Sequence, residues 1–181
     1  PLCPAQQQLV FDVSNRSQLF IDRLLVHDAR GVSFTLHPAR RHPQNPLMKA
    51  DQPWEGVQAY VYGSVLYDED ERLFKMWYQA GWYDGVAYAV SKDGLIWQRH
   101  ALDVVAGTNR VIPMEKHGIR DGCAVWLDHD TADRRQRFKM FLYERPEETV
   151  GGQVFTSPDG VNWSPPTRTG PVGDNTTIFY N

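Results

Sequence analysis

The sequence predicts an all-β chain built from a repeated four-stranded unit, and three observations carry that expectation. A Ser-x-Asp-Gly-x-x-Trp segment occurs twice, as Ser91-Lys92-Asp93-Gly94-Leu95-Ile96-Trp97 and as Ser157-Pro158-Asp159-Gly160-Val161-Asn162-Trp163, a shift of 66 residues. Other landmarks keep the same order. Phe74-Lys75-Met76-Trp77 returns as Phe138-Lys139-Met140-Phe141, a shift of 64. Val65-Leu66-Tyr67-Asp68 lines up with Val125-Trp126-Leu127-Asp128 and then with Ile178-Phe179-Tyr180-Asn181. Finally, no helix-period segment longer than two turns occurs, and Pro and Gly interrupt most candidates. A repeat of roughly 60 residues with four strands per unit reads as the blade of a β-propeller.

The elements follow in order. Residues 1–58 form a leader: 18–25 and 32–36 read as two strands across the Asp28-Ala29-Arg30-Gly31 turn, followed by a Pro-rich stretch from His37 to Pro53. Residues 59–181 form a partial propeller, with blade one at about 59–105, blade two at about 121–168 and the start of blade three at 174–181. In blade one the expected strands are 59–67, closed by the acidic turn Asp68-Glu69-Asp70-Glu71, then 73–79, 86–90 and 96–100. Gly94 supplies a positive φ in the Asp-Gly turn, while Ser91 and Asp93 can accept from backbone N–H groups. Trp97 and Trp163, being in phase, are expected to be buried packing residues. Propellers need about four to eight blades, so the chain is expected to continue beyond Asn181 into a ring of the five-bladed type.

Composition bounds the function. The chain has 181 residues, 41% hydrophobic and 23% charged, with net charge −3. Its Lys and Arg number 19 against 22 Asp and Glu, mixed along the chain, which leaves no basic footprint for nucleic acid. No run of about 18 apolar residues suggests a membrane helix. Two cysteines, Cys3 and Cys123, provide neither a disulfide framework nor a Cys-based zinc site. The aromatic share of 12%, with six Trp beside 14 Gly and 12 Pro, suits a turn-rich β-protein with a carbohydrate partner. Sequons at Asn15, Asn162 and Asn175 carry no weight for localisation.

The repeated Ser-x-Asp-Gly-x-x-Trp turns, the Asn45-Pro46-Leu47 of the leader and the blade length resemble the five-bladed propeller glycoside hydrolases of families 32, 43, 62 and 68. Arg120-Asp121-Gly122 is similar to the Arg-Asp-Pro of family 32, whose Asp contacts sugar hydroxyls and stabilises the transition state. Gly122 replaces the Pro, so the resemblance assigns roles to Arg120 and Asp121 alone. Trp77-Tyr78-Gln79 looks like the Phe-Tyr-Gln of the same family, which implies that Gln79 lines a sugar pocket. The family's Asn-Asp-Pro-Asn-Gly nucleophile motif has no counterpart: residues 59–63, Ala-Tyr-Val-Tyr-Gly, hold no carboxylate. The nearest upstream acid is Glu55, and the family's general-acid Glu would come from a later blade.

Glycoside hydrolysis usually needs two carboxyl groups flanking the scissile bond, one protonating the leaving oxygen and the other serving as nucleophile or base. Asp121 and Asp174 each lie four residues before an inner-strand landmark, Val125 and Ile178, so a propeller would bring them to one funnel. Asp121, Asp174 and Glu55 are therefore the candidate catalytic acids. Arg120, Gln79, Trp54, Trp82 and His117 are the candidate sugar-binding residues, the two Trp as stacking platforms. Asp128-His129-Asp130 reads as a solvated turn, so neither a metal nor another cofactor is called for. No Gly-x-Ser-x-Gly elbow or phosphate-binding Gly loop occurs. The reading is a glycoside hydrolase acting on a sugar in the propeller funnel. The alternative is a non-catalytic propeller that binds carbohydrate or protein. A sialidase relationship is weaker, because the sialidase Asp-box spaces its Ser and Trp one residue further apart.

Overall fold

The computed structural model describes residues 11–14, 18–82, 84–113, 119–145, 151–173 and 176–179, without the side chains of residues 119–121 and 144–145. The chain divides into two compact units, Pro1–Arg41 and His42–Asn181, so the division falls inside the leader. In the first unit, residues 18–25 and 32–36 form no strand, and Leu19, Ile21 and Leu36 stand in solvent. Local contacts remain: Arg30 pairs with Asp28 at 2.9 Å, and the Arg23 guanidinium lies 5.1 Å from the Phe34 ring. A lone hairpin buries too little apolar surface to be stable in water, which accounts for the lost pairing.

The second unit is all-β, with two antiparallel sheets. Strands β1 (Ala59–Tyr60), β2 (Val65–Asp68), β3 (Leu73–Ala80), β4 (Val86–Ser91) and β5 (Arg110–Ile112) form the first. Its order is β1-β3-β4-β5, and β2 shares the β1 edge of β3, with Tyr60 opposite Gln79 and Val65 opposite Met76. Strands β6 (Ile119–Leu127), β7 (Phe138–Arg145), β8 (Gly151–Ser157) and β9 (Thr167–Arg168) form the second, in the order β6-β7-β8-β9. Two three-residue 3-10 helices, Pro53–Glu55 and Arg134–Gln136, complete the described elements. No helix among the described residues is long and apolar enough to cross a membrane.

The repeated turn keeps the same bonds from backbone amides to its Ser and Asp in both copies. In the first copy the amides of Asp93 and Gly94 donate to Ser91 Oγ at 3.3 and 2.9 Å, and those of Leu95 and Ile96 to Asp93 Oδ1 at 2.8 and 2.9 Å. In the second, Asp159 and Gly160 donate to Ser157 Oγ at 3.2 and 2.8 Å, and Val161 and Asn162 to Asp159 Oδ1 at 2.8 and 2.7 Å. Gly94 and Gly160 take φ values of 74° and 81°. Ser and Asp thus satisfy backbone donors that a tight turn leaves unpaired. The Asp93 carboxyl is held below its ordinary range by the amides of Ile96 and Leu95 and by Ser91.

That turn also joins the sheets. Alternation along β3 sends Lys75, Trp77 and Gln79 to one face and Met76, Tyr78 and Ala80 to the other. Trp77 is fully buried against the second sheet, its Nε1 donating to the Gly160 carbonyl at 2.8 Å. Its ring meets Phe138 at 5.7 Å and Trp163 at 6.4 Å, edge to face. A Cβ on Gly160 would lie 2.6 Å from the Trp77 ring, so the contact requires glycine. Beside it, Asp68 pairs with Lys75 at 2.9 Å and with Arg137 at 2.9 Å, and Asp70 pairs with Arg134 at 2.7 Å. The cations of Lys75 and Arg137 lie 4.8 and 5.0 Å from the Phe138 ring. Burial opposes ionisation of Asp68, but Lys75 and Arg137 outweigh it and hold its carboxyl low.

Further expectations need correction, and the first is the expected strand 59–67, which is two short strands, β1 and β2, interrupted at 61–64. Residues 96–100 make a single bridge, Val90 to Gln98, and the fourth place in the first sheet belongs to β5. Leu95 and Ile96 point to solvent, so this stretch has little apolar burial to hold it to the β4 edge. Trp97 and Trp163 are half-buried rather than buried. Trp163 packs on the inter-sheet core and Trp97 on the opposite face of the first sheet, against Met76 and Tyr78. Residues 176–179 form no strand, since a first strand has no ladder to join without a second.

Candidate functional site

The end of β3, the paired β1 and the beginning of β6 meet at one end of the sheets. The segment between β1 and β2 leaves the first sheet and reaches the second. Tyr62 O accepts from Cys123 N at 2.8 Å, and Ser64 Oγ accepts from Val125 N at 2.9 Å. Gly63 permits this approach, because a Cβ there would lie 2.3 Å from Trp77 O and 2.6 Å from Cys123 Sγ. Burial pushes the Cys123 thiol up to about 12, which keeps it an inert packing group. The backbone of Arg120 and Asp121 opens β6 just before the Gly122 and Cys123 that meet Tyr62, two residues past the Tyr60 that pairs with Gln79. The side chains of Arg120 and Asp121, and the whole of His117 and Asp174, lie outside the described residues.

Gln79 is the unusual residue of this end. It is fully buried on the face toward the second sheet, and neither its amide oxygen nor its amide nitrogen has a partner among the described residues. Buried polar groups are nearly always paired, and leaving one unpaired costs about 1–3 kcal/mol.

Glu55 is the opposite case. It ends the short 3-10 helix, solvent-excluded, on the other face of the first sheet from Gln79. Its carboxylate accepts from the amides of Asp51 and Gln52 at 2.9 and 3.0 Å, from Tyr78 Oη at 2.7 Å, and from Arg99 at 2.9 and 3.0 Å. Burial favours the neutral acid, but the Tyr78 hydroxyl, the two amides and the Arg99 guanidinium hold the carboxyl below its ordinary range. A group so occupied has no lone pair left for a substrate and no proton to give at neutral pH. Glu55, read from the sequence as a candidate catalytic acid, is a structural anchor.

The same network engages Trp54, one of the two candidate sugar platforms. Its Nε1 donates to Asn109 Oδ1 at 2.8 Å, its carbonyl accepts from Arg110 at 2.7 Å, and its ring is half-buried on the Tyr78 cluster. Asn109 Nδ2 in turn donates to Tyr78 Oη and to the Tyr88 carbonyl, both at 2.8 Å. Burial pushes the Tyr78 hydroxyl up, so it stays a phenol and donates to Glu55. Arg99 and Asn109 complete the anchor without any local sequence signal, since their partners lie tens of residues away. Trp82, by contrast, is 63% exposed in the β3–β4 loop. Among the described residues, no group of three or more His, Cys, Asp and Glu is placed to hold a metal ion.

No protein-family model matches the chain, and no curated protein matches it in sequence. The functional reading therefore rests on the residues themselves.

Proposed function

We propose that the two sheets are consecutive blades of a β-propeller, and that the protein is a glycoside hydrolase whose sugar binds where β3 ends and β6 begins. The orphaned amide of Gln79 carries this reading. A carboxamide offers both a donor and an acceptor, the pair that a sugar hydroxyl complements. Its position is compatible with this, because Tyr62, two residues past the Tyr60 that pairs with Gln79, touches the Gly122 that follows Arg120 and Asp121. The carboxylate of Asp121 would stabilise positive charge at the reacting sugar, and a second acid from the neighbouring inner strand, Asp174, would complete the pair.

Support for the propeller comes from the inter-sheet contacts. The first sheet offers an acidic turn and a Lys-x-Trp strand, and the second answers with Arg137 and the carbonyls of Asp159 and Gly160. The second sheet repeats part of the first half, with Phe141 where the first sheet has Trp77. Lys139 and Asp128 of the second sheet repeat Lys75 and Asp68 and pair with each other. The Lys139 side chain is 31% exposed where that of Lys75 is 1%.

A non-catalytic sugar-binding propeller is the second reading, favoured by the anchoring role of Glu55 and the absence of a carboxylate from residues 59–63. Turnover separates the two. Asp121→Asn in the full protein is expected to lower hydrolysis of aryl glycosides or oligosaccharides by roughly 10²-fold with the fold intact, the loss typical of one transition-state contact. Equal turnover of the two proteins removes Asp121 from the mechanism. Sugar binding without turnover by the wild type selects the binding reading.

A further inference from the structure

We infer that a cleft beside the Ser91–Trp97 turn binds a small amphipathic anion, an apolar molecule with a single carboxylate. Leu73, Val90 and Ile96 form its floor, and Lys92 is the counter-ion. The cleft is separate from the sugar site and does not rest on the carbohydrate reading.

The cleft has a volume of about 450 Å³, within the range of small-molecule pockets. Its floor follows from strand register. Val90 stands opposite Lys75 in β3 and makes the isolated bridge to Gln98, so Leu73, Val90 and Gln98 share one face. Ile96 and His100, two residues to either side of Gln98, line the same cleft. Leu73 and Val90 are half-buried, whereas Ile96 keeps 71% of its surface in water. Covering that surface with an apolar body is favourable.

The turn does not require these side chains. Its second copy makes the same amide bonds to Ser and Asp, yet carries Pro158 in place of Lys92, Asn162 in place of Ile96 and Pro166 in place of His100. Asn162 closes on its own turn, its Nδ2 donating to Asp159 Oδ2 at 2.8 Å. Ile96 makes no such bond and presents apolar surface instead.

Lys92 sets the sign of the ligand. It is exposed and lines the cleft, and among the described residues its ammonium has no hydrogen bond or ion pair. The neighbouring Asp93 carboxylate is spent on the turn, accepting from the amides of Leu95 and Ile96 at 2.8 and 2.9 Å and from Ser91 Oγ at 3.0 Å. His100 Nε2 lies 3.2 Å from Gln98 Oε1, which engages the Gln98 oxygen and leaves its amide nitrogen as a donor. A carboxylate is an acceptor only, and its bonds to an ammonium are charge-assisted. One ammonium and one amide N–H above an apolar floor therefore match a carboxylate carried on an alkyl or aryl body.

The experiment is a titration of the isotope-labelled full protein with octanoate, followed through the amide signals of residues 90–100 by NMR. Octylamine keeps the chain and reverses the charge, and butanoate keeps the charge and shortens the chain. Octanoate is expected to shift those signals saturably, and each control to bind at least roughly tenfold more weakly. Lys92→Glu is expected to weaken octanoate by roughly three- to tenfold, the scale of an exposed charge contact, and Ile96→Ser by a similar factor. Both side chains are exposed, so the Gly94 amide should keep its position in each variant without ligand. Octylamine binding as tightly as octanoate, or octanoate affinity unaltered in both variants, overturns the inference. So does a titration with octanoate that leaves the signals of residues 90–100 in place.

Discussion

Trp77→Ala is expected to cost about 3–5 kcal/mol of stability, the range for removing a large core aromatic. Several losses fall together at that position. The indole is wholly buried, and it links β3 of the first sheet to Phe138, Trp163 and the Gly160 turn of the second. Removing it opens a cavity between the sheets and strands the Gly160 carbonyl, and the close-packed neighbours can fill that space only in part. Urea unfolding followed by far-ultraviolet circular dichroism measures the loss. Trp77→Phe keeps much of the ring volume but not the N–H, so it should fall between wild type and alanine. A Trp77→Ala protein as stable as wild type would mean that the two sheets do not share a core.

Glu55→Gln is the second large effect. Breaking a buried ion pair by removing one partner typically costs about 3–5 kcal/mol. Because Arg99 keeps Asp51 as a second partner and is slightly exposed, the lower end, about 3 kcal/mol, is expected here. The new amide nitrogen would face the donors of Arg99 or of the Asp51 and Gln52 backbone, where an acceptor is required. The pH dependence gives a sharper check. The folded state holds the Glu55 carboxyl below its ordinary value of 4.5, so folding binds this proton less readily than the unfolded chain does. Its stabilisation is therefore fully present above pH 4.5 and is lost as pH falls through the depressed value. The gap in unfolding free energy between wild type and Glu55→Gln should be widest near neutrality and close in acid. A gap constant down to the acid limb would show that the ion pair is not what Glu55 supplies.

Much of the architecture was legible because it is local. Ser91, Asp93 and Gly94 specify their turn through bonds spanning two or three residues, and Ser157, Asp159 and Gly160 repeat it. The alternation of residues 73–79 anticipated β3, and the small residues of 86–90 anticipated β4. What failed was non-local. Residues 96–100 and 110–112 compete for one edge of β4, and the outcome depends on burial that composition does not reveal. Glu55 was read as a spare acid since its partner Arg99 lies 44 residues away and nothing near Glu55 announces it. Trp54 and Trp82 look alike in sequence, yet one donates to Asn109 and packs on a core while the other stands in solvent. Gln79 was singled out in sequence through a motif resemblance, and its lack of a partner among the described residues appears only in the folded chain.

The most direct test of the sugar-binding account is the thermal melting of wild type and Gln79→Leu, each with and without a saccharide that the wild type binds. Leucine replaces an unpaired buried amide with an apolar side chain of similar size. The account therefore predicts that the variant melts at or above the wild-type temperature and loses the saccharide-dependent rise. That combination identifies a side chain kept for a ligand at the expense of stability. A variant that melts well below wild type, with its saccharide-dependent rise intact, would contradict it: Gln79 would then be serving the fold.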